Sequence, residues 1–254
     1  MLSRKHLRNQ DLIPQKLLDN VTVVGLGGIG SSVVMLLATM GFDFIRGYDS
    51  DRMEEHNFGT TLYPESMFDD EDNNSKALMA ANIINNYGGD NVTTEMNDMK
   101  FVGRGQVLSP KTIVCTDDMT SRKCVYEKWR EMENRQVFID MRMDALTMSC
   151  ITVTRDSDVY EKYWFENGES GEEAPCTMKH TIFCASLISG IGITQLFNYL
   201  TERPFYQYIW QGLSPLDIKK EDFYCGETIV ENSTDNILTE EVMSYENTNS
   251  HSYN

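Results

Sequence analysis

Four glycines fall between Gly25 and Gly30 in the stretch VTVVGLGGIGSS, residues Val21 to Ser32. An apolar run leads into them and a helical pattern follows. Gly25, Gly27 and Gly30 have the spacing G-x-G-x-x-G. With that spacing the first glycine allows a tight turn out of a strand. The second lets the backbone approach a phosphate, and the third lets the helix pack on the strand. The helix start at Gly28, Ile29 and Gly30 adds free N–H groups and a partial positive charge. Asp49 lies 19 residues beyond Gly30, at the end of the next predicted strand, where a carboxylate accepts from ribose hydroxyls. The chemistry expected is nucleotide binding. The fingerprint alone does not separate NAD or FAD from ATP.

The elements needed to position these residues are readable from periodicity. Val21 to Leu26 reads as a strand, and Ile29 to Met40 as a helix with Val33, Leu36, Leu37 and Met40 on one face. Gly41 is its expected stop. FDFIRGYD is a second strand ending in Asp49, SKALMAANIINNY a second helix, and NVTTEM and KTIVCTDD two more strands. TSRKCVYEKWREMEN is a helix, QVFIDM a fifth strand, and ALTMSCITVTR an alternating, antiparallel-type strand. Strands alternating with helices imply an α/β fold: a Rossmann-like, mixed, mostly parallel sheet flanked by helices. Residues 1–20 read as a helical arm, 21–226 as the nucleotide-binding domain and 227–254 as a flexible acidic tail. Residues 156–175 read as an acidic crossing loop.

Composition narrows the function. Lys plus Arg total 22 against 39 Asp plus Glu, giving a net charge of −17. A field of that sign repels phosphate backbones and anionic membranes, so neither nucleic acid nor a membrane is an expected partner. The six cysteines form no C-x-x-C pair, so no zinc is expected. The N-terminal residues carry no signal-peptide core, and a cytoplasmic setting with reduced thiols is expected. Thr181 to Leu200 is long and apolar enough to suggest a membrane span, but its Ser, Thr, Gln and Asn content points to a buried core helix.

Further residues add a resemblance. SRKHL, the glycine loop, YDSDRMEEHNFGTTLY, SKALMAANIIN and VCTDDMTSR occur in that order. As a set, from about Ser3 to Leu200, they resemble the E1-like (ThiF/MoeB/HesA-type) adenylyltransferases. The resemblance implies binding of ATP and Mg²⁺ and transfer of AMP to a carboxylate. The acceptor it implies is the C-terminal glycine of a ubiquitin-like or sulfur-carrier protein, or a peptide C-terminus. By the family pattern, Gly27 and Gly28 lie against the phosphates, Asp49 binds ribose with Asp51 beside it, and Asn57 is on the phosphate side. Lys76 matches the catalytic lysine. Asp117, next to Thr116 in CTDD, matches the Mg²⁺ ligand. Arg4 matches an arginine inserted from a partner subunit, which implies a homodimer. Such residues would act by positioning and electrostatics on the charge that builds as pyrophosphate leaves. The ordinary alternatives are a solvated helix lysine at Lys76, a helix cap at Asp117 and a plain arm at Arg4.

Two departures stand out. The family has an arginine three residues after the asparagine, and this chain has Thr60 there. Arg52 is a candidate replacement. Cys176, in PCT, resembles the catalytic cysteine of ubiquitin activators, with Lys179 and His180 close enough in sequence to lower its pKa; the alternative is a structural cysteine. The rival functions are a nicotinamide- or flavin-dependent oxidoreductase and a nucleotide-binding scaffold without turnover.

Overall fold

The computed structural model describes residues 11–68, 74–89, 92–164 and 181–224, and the backbone of 225 and 228–230. Nine strands form one sheet in the order β3-β2-β1-β4-β5-β6-β7-β8-β9. β1 (Asn20–Val24), β2 (Phe44–Asp49), β3 (Thr93–Asp98), β4 (Lys111–Val114) and β5 (Val137–Asp144) are paired in parallel. β6 (Thr147–Thr154), β7 (Phe205–Leu213), β8 (Leu216–Cys225) and β9 (Thr228–Val230) continue it antiparallel. The sheet is therefore the mixed, helix-flanked Rossmann-like sheet expected, with a longer antiparallel extension than the sequence suggested.

Alternation along the strands splits the core between two faces. Val23, Ile45, Ile113, Ile139 and Met141 face α1 (Gly28–Met40), α2 (Lys76–Gly88) and α4 (Ile182–Leu200). Val24, Tyr48, Val114 and Phe138 face Val125, Tyr126 and Trp129 of α3 (Met119–Arg130). The helix from Ile182 to Leu200, long and apolar enough to cross a membrane, buries Ala185, Ile188, Ser189, Gly192 and Leu196 in this core. Gly192 sits directly on the Met141 side chain.

Local chemistry fixes the boundaries. β1 stops at Val24, two residues before the expected end, because Gly25 turns away with φ +89°. Gly41 ends α1 with φ +98°, its N–H donating to the Leu37 carbonyl. Asp118 caps α3, accepting from the Ser121 N–H at 2.7 Å, so that helix begins at Met119. Of the expected helical arm, residues 11–19 hold only a 3₁₀ turn at Gln15–Leu17, which follows Pro14 and stops where Leu18 drops into the core. β9 lies within the stretch expected to be tail; its hydrogen bonds go to β8.

Candidate functional site

The strand order reverses between β1 and β4, and ligands of open α/β sheets bind at such a point, beyond the strands' C-terminal ends. The glycine loop stands there. A Cβ on Gly25 would lie 2.7 Å from the backbone of Cys115 and Thr116, so only glycine lets the ends of β1 and β4 meet this closely. A Cβ on Gly30 would run into the Gly25 carbonyl, which is the helix-on-strand packing expected. Gly27 differs: nothing lies within 4 Å of its Cβ position. Gly27 is also the N-cap of α1 and supplies no side-chain cap. The first intrahelical bond there is from the Ser31 N–H to the Gly27 carbonyl. The N–H groups of Gly28, Ile29 and Gly30 thus precede the helix's own ladder, next to the open space at Gly27, as an anion site requires.

Asp49, at the end of β2, joins this loop. One carboxylate oxygen accepts from the Leu26 N–H at 2.6 Å, and the other from the Asp51 N–H at 2.8 Å. Burial raises its pKa, opposed by these two hydrogen bonds and by the Lys76 charge. Lys76 opens α2; its backbone N–H donates to the Asp51 carbonyl at 3.0 Å and its Nζ lies 2.8 Å from the Asp51 carboxylate. With only 12% of its side chain exposed, Lys76 is not a solvated helix lysine.

The loop after β2 supplies the opposite wall. The Asn57 side chain accepts from the Glu54 N–H at 3.0 Å, and its carbonyl receives both the N–H and the hydroxyl of Thr60. The Thr60 carbonyl in turn is 2.9 Å from where a Gly28 Cβ would be. Asn57 is therefore part of a turn seated on the glycine loop. Arg52, the candidate replacement for the missing arginine, turns elsewhere. Its guanidinium lies 2.5 Å from Asp98 at the end of β3, and its backbone pairs with Ser75 in an isolated antiparallel bridge that joins the two loops.

At the end of β4 the two aspartates divide their work. Asp118 is the helix cap, with Lys100 at 3.8 Å, and its pKa is lowered because the Ser121 bonds and the charges of Lys100 and Arg122 outweigh burial. Asp117 is exposed and has no bonded partner among the described residues, so it is not the cap. The Thr116 hydroxyl is buried without a hydrogen-bond partner.

Behind Asp117 lies a polar centre that sequence reasoning missed. Asp140 on β5 is fully buried and is paired with Arg122 and Arg142, and it accepts from the Tyr160 hydroxyl at 2.8 Å. Burial alone would raise its pKa; the two guanidinium groups more than offset that and leave it lowered. Arg122 also donates to the Thr116 carbonyl and to the Met141 carbonyl, fixing the strand end that carries Asp117. A lone aspartate in the apolar run VFIDM was its signal, because a buried carboxylate must find a cation.

The structure thus gathers Gly25, Gly27, Gly28, Ile29, Gly30, Asp49, Asp51, Asn57, Lys76, Thr116 and Asp117 around one set of strand ends. Arg4 and Cys176 lie outside the described residues. The donor set suits a nucleotide with a phosphate-borne cation. Open backbone N–H groups and Lys76 complement phosphates, and a single carboxylate such as Asp117 is what Mg²⁺ commonly takes from protein when phosphates and water supply the rest. Among the described residues no group of three acidic, His or Cys side chains forms a metal cage.

The sequence pattern of the ThiF family matches residues 15–223 of the chain. No curated protein sequence matches it. Among solved structures it is similar to PaaA, with TM-score 0.61 and 19% identity over 83% of this chain and 66% of that one. It is also similar to Escherichia coli MccB solved with ATP, with TM-score 0.62 and 15% identity over 87% and 71% of the two chains. A further MccB structure, with AMPCPP and MccA, gives TM-score 0.63 and 15% identity over 91% and 74%. The chain thus spans just under two thirds of PaaA.

Proposed function

We propose that this chain, which belongs to the ThiF family, is an ATP-dependent adenylyltransferase that activates a carboxylate as an acyl-adenylate. The observation that carries the reading is the convergence at one switch point of the glycine loop, open at Gly27, with Asp49, Lys76 and Asp117, which has no bonded partner among the described residues. The relatives add support: MccB has been solved with ATP and with N-formylated MccA. The acceptor proposed is a C-terminal carboxylate of a peptide or of a small ubiquitin-like or sulfur-carrier protein.

In such a reaction the carboxylate attacks the α-phosphate and pyrophosphate leaves. The N–H groups of Gly28, Ile29 and Gly30 hold phosphate oxygens, and Asp49 accepts from the ribose. Lys76 stands 2.8 Å from Asp51 and is ready to be exchanged onto phosphate, where its charge counts most as pyrophosphate departs. Asp117 would hold Mg²⁺, which neutralises charge on the leaving group. No protein nucleophile is needed for this step. Pyrophosphate exchange into ATP, run with candidate acceptor peptides and proteins, tests the reading. Exchange that disappears in Asp117→Ala and Lys76→Ala supports it. Exchange retained in both would refute the assigned roles.

The homodimer belongs to the same proposal. One face of α4 carries Phe183 and Leu187, 50% and 46% exposed, with open space at Gly190 one further turn along. A second copy would cover that face, and Arg4 of one subunit would serve the other's site. A second reading, a nucleotide-binding scaffold without turnover, is favoured by one observation: Thr60 replaces a cation and Arg52 is committed to Asp98. Exchange by the wild type separates the two: a working enzyme shows it and a scaffold does not, and exchange gained only in Thr60→Arg would assign the loss of turnover to that position.

A further inference from the structure

Asp117 owes its place to its two neighbours in the chain. β4 makes its last backbone bond to β1 from the Cys115 N–H to the Val24 carbonyl, at 2.8 Å. Beyond it the Asp117 side chain has no bonded partner among the described residues. Arg122 on α3 grips the backbone on both sides of it. The guanidinium donates to the Thr116 carbonyl, and the Arg122 backbone N–H donates to the Asp118 carbonyl at 3.2 Å. The carboxylate offered to Mg²⁺ is thus placed by an arginine bonded to its neighbours.

Arg122 is fixed in turn from behind. One oxygen of Asp140 pairs with it, and it also donates to the Met141 carbonyl at 3.0 Å. The other Asp140 oxygen accepts from Arg142 at 2.7 Å and from the Tyr160 hydroxyl at 2.8 Å. Tyr160 opens a 3₁₀ turn, Tyr160–Tyr163, beyond the end of β6. That turn is tied down twice more. The Tyr163 carbonyl accepts from Arg142 at 2.9 Å, and Asp158 accepts from both the Tyr160 N–H and the Tyr126 hydroxyl of α3. The Tyr160 ring stacks on Tyr126 and meets Phe138 edge-on, which a phenylalanine would do as well. Two guanidinium groups already balance the Asp140 charge. The hydroxyl therefore serves orientation: it helps hold one oxygen back and leaves the other to Arg122.

Resting on the adenylyltransferase reading, we infer that Tyr160 is a positioning residue for the metal ligand. Its hydroxyl, through Asp140 and Arg122, holds the strand end from Thr116 to Asp118 so that Asp117 is presented to Mg²⁺ on the nucleotide's phosphates. Partners beyond a metal's own ligands orient those ligands, and losing one typically costs about 10–100-fold in metal affinity or activity. Asp140 and Arg122 stand between Tyr160 and the strand end, so the expected effect is about threefold, below that range.

Calorimetric titration of the full chain with ATP, with and without Mg²⁺, tests this. In the wild type Mg²⁺ should tighten ATP binding. Tyr160→Phe keeps the ring; it should leave ATP affinity without Mg²⁺ unchanged and reduce the tightening by about threefold. Arg122→Lys keeps a charge for Asp140 but has no planar fork to reach the Thr116 and Met141 carbonyls together, so it should reduce the tightening further. The decisive comparison is the double variant. With Asp117→Ala in place, Tyr160→Phe should remove no more of the tightening, because the group it positions is gone. Three results would overturn the inference while leaving an ATP site in place: a Tyr160→Phe variant that loses only melting temperature, a loss equal with and without Mg²⁺, or a loss that adds to that of Asp117→Ala. A wild type whose ATP affinity ignores Mg²⁺ would overturn it too. A wild type that binds no ATP under either condition would remove the adenylyltransferase reading with it.

Discussion

The carboxylate of Asp49 and the backbone N–H of Leu26 lie 2.6 Å apart, so the side chain placed to meet a ribose also holds the glycine loop in shape. Asp49→Ala should therefore lower stability as well as nucleotide affinity. Leu26 is fully buried, and leaving its N–H unpaired costs about 1–3 kcal/mol. Chemical denaturation in the absence of nucleotide measures this. A variant as stable as wild type would show that the bond does no structural work.

Asp140 gives a pH-dependent prediction. Its folded pKa lies below the usual carboxylate value of roughly 3.9, because Arg122 and Arg142 outweigh burial. A depressed carboxylate pKa adds stability above the unfolded value, and that stability is lost as pH falls through the folded one. Asp140→Asn should cost about 3–5 kcal/mol at neutral pH, since two guanidinium groups lose their partner, and should flatten the acid limb of the stability profile. Melts from pH 7 down to strongly acid conditions decide it; parallel curves for wild type and variant would contradict the assignment.

Asp117 makes no bond that the fold depends on, so Asp117→Ala should melt like wild type. Its effect should appear only with the cation: ATP affinity without Mg²⁺ unchanged, and the tightening by Mg²⁺ reduced by about tenfold, as for loss of a charge-assisted contact. Titrations with and without Mg²⁺ read this out. An equal loss in both conditions would assign Asp117 to the nucleotide rather than to the metal.

The exposed face of α4 predicts the behaviour of a dimer. Leu187→Glu should give a monomer by light scattering at micromolar concentration, with the fold intact, because Leu187 is outside the core. A wild type already monomeric under the same conditions would leave the face without the partner proposed for it.

Much of this was legible in sequence for physical reasons. β1 and α1 are buried on nearly every side and show as apolar runs, β2 alternates in part, and Gly25 and Gly41 are required by backbone geometry. The roles of Asp49 and Lys76 came from spacing and family pattern, and both residues are found at the same strand ends. Within CTDD the family pattern points to Asp117, and geometry removes the ordinary alternative of a cap there, because Asp118 is the cap. The β7–β8 hairpin shows no apolar alternation, because β7 buries the polar Gln207 and leaves Tyr206, Tyr208 and Trp210 half-buried on its other face, while β8 exposes Leu216 and Ile218. Lys219 and Lys220 lie over Trp210 and Tyr206, an arrangement that no alternation of apolar residues reveals. Arg52–Asp98 and Arg122–Asp140 join residues 46 and 18 positions apart, and such pairs appear only once the sheet has formed.

A site for the phosphates and ribose of ATP at the ends of β1 and β2 is tested most directly by calorimetric titration of the wild type with Mg·ATP and with NAD. Mg·ATP should bind, weakened at least about tenfold by Asp49→Ala, with NAD bound far more weakly. NAD bound as tightly as ATP or more tightly, or ATP affinity untouched by Asp49→Ala, would contradict it.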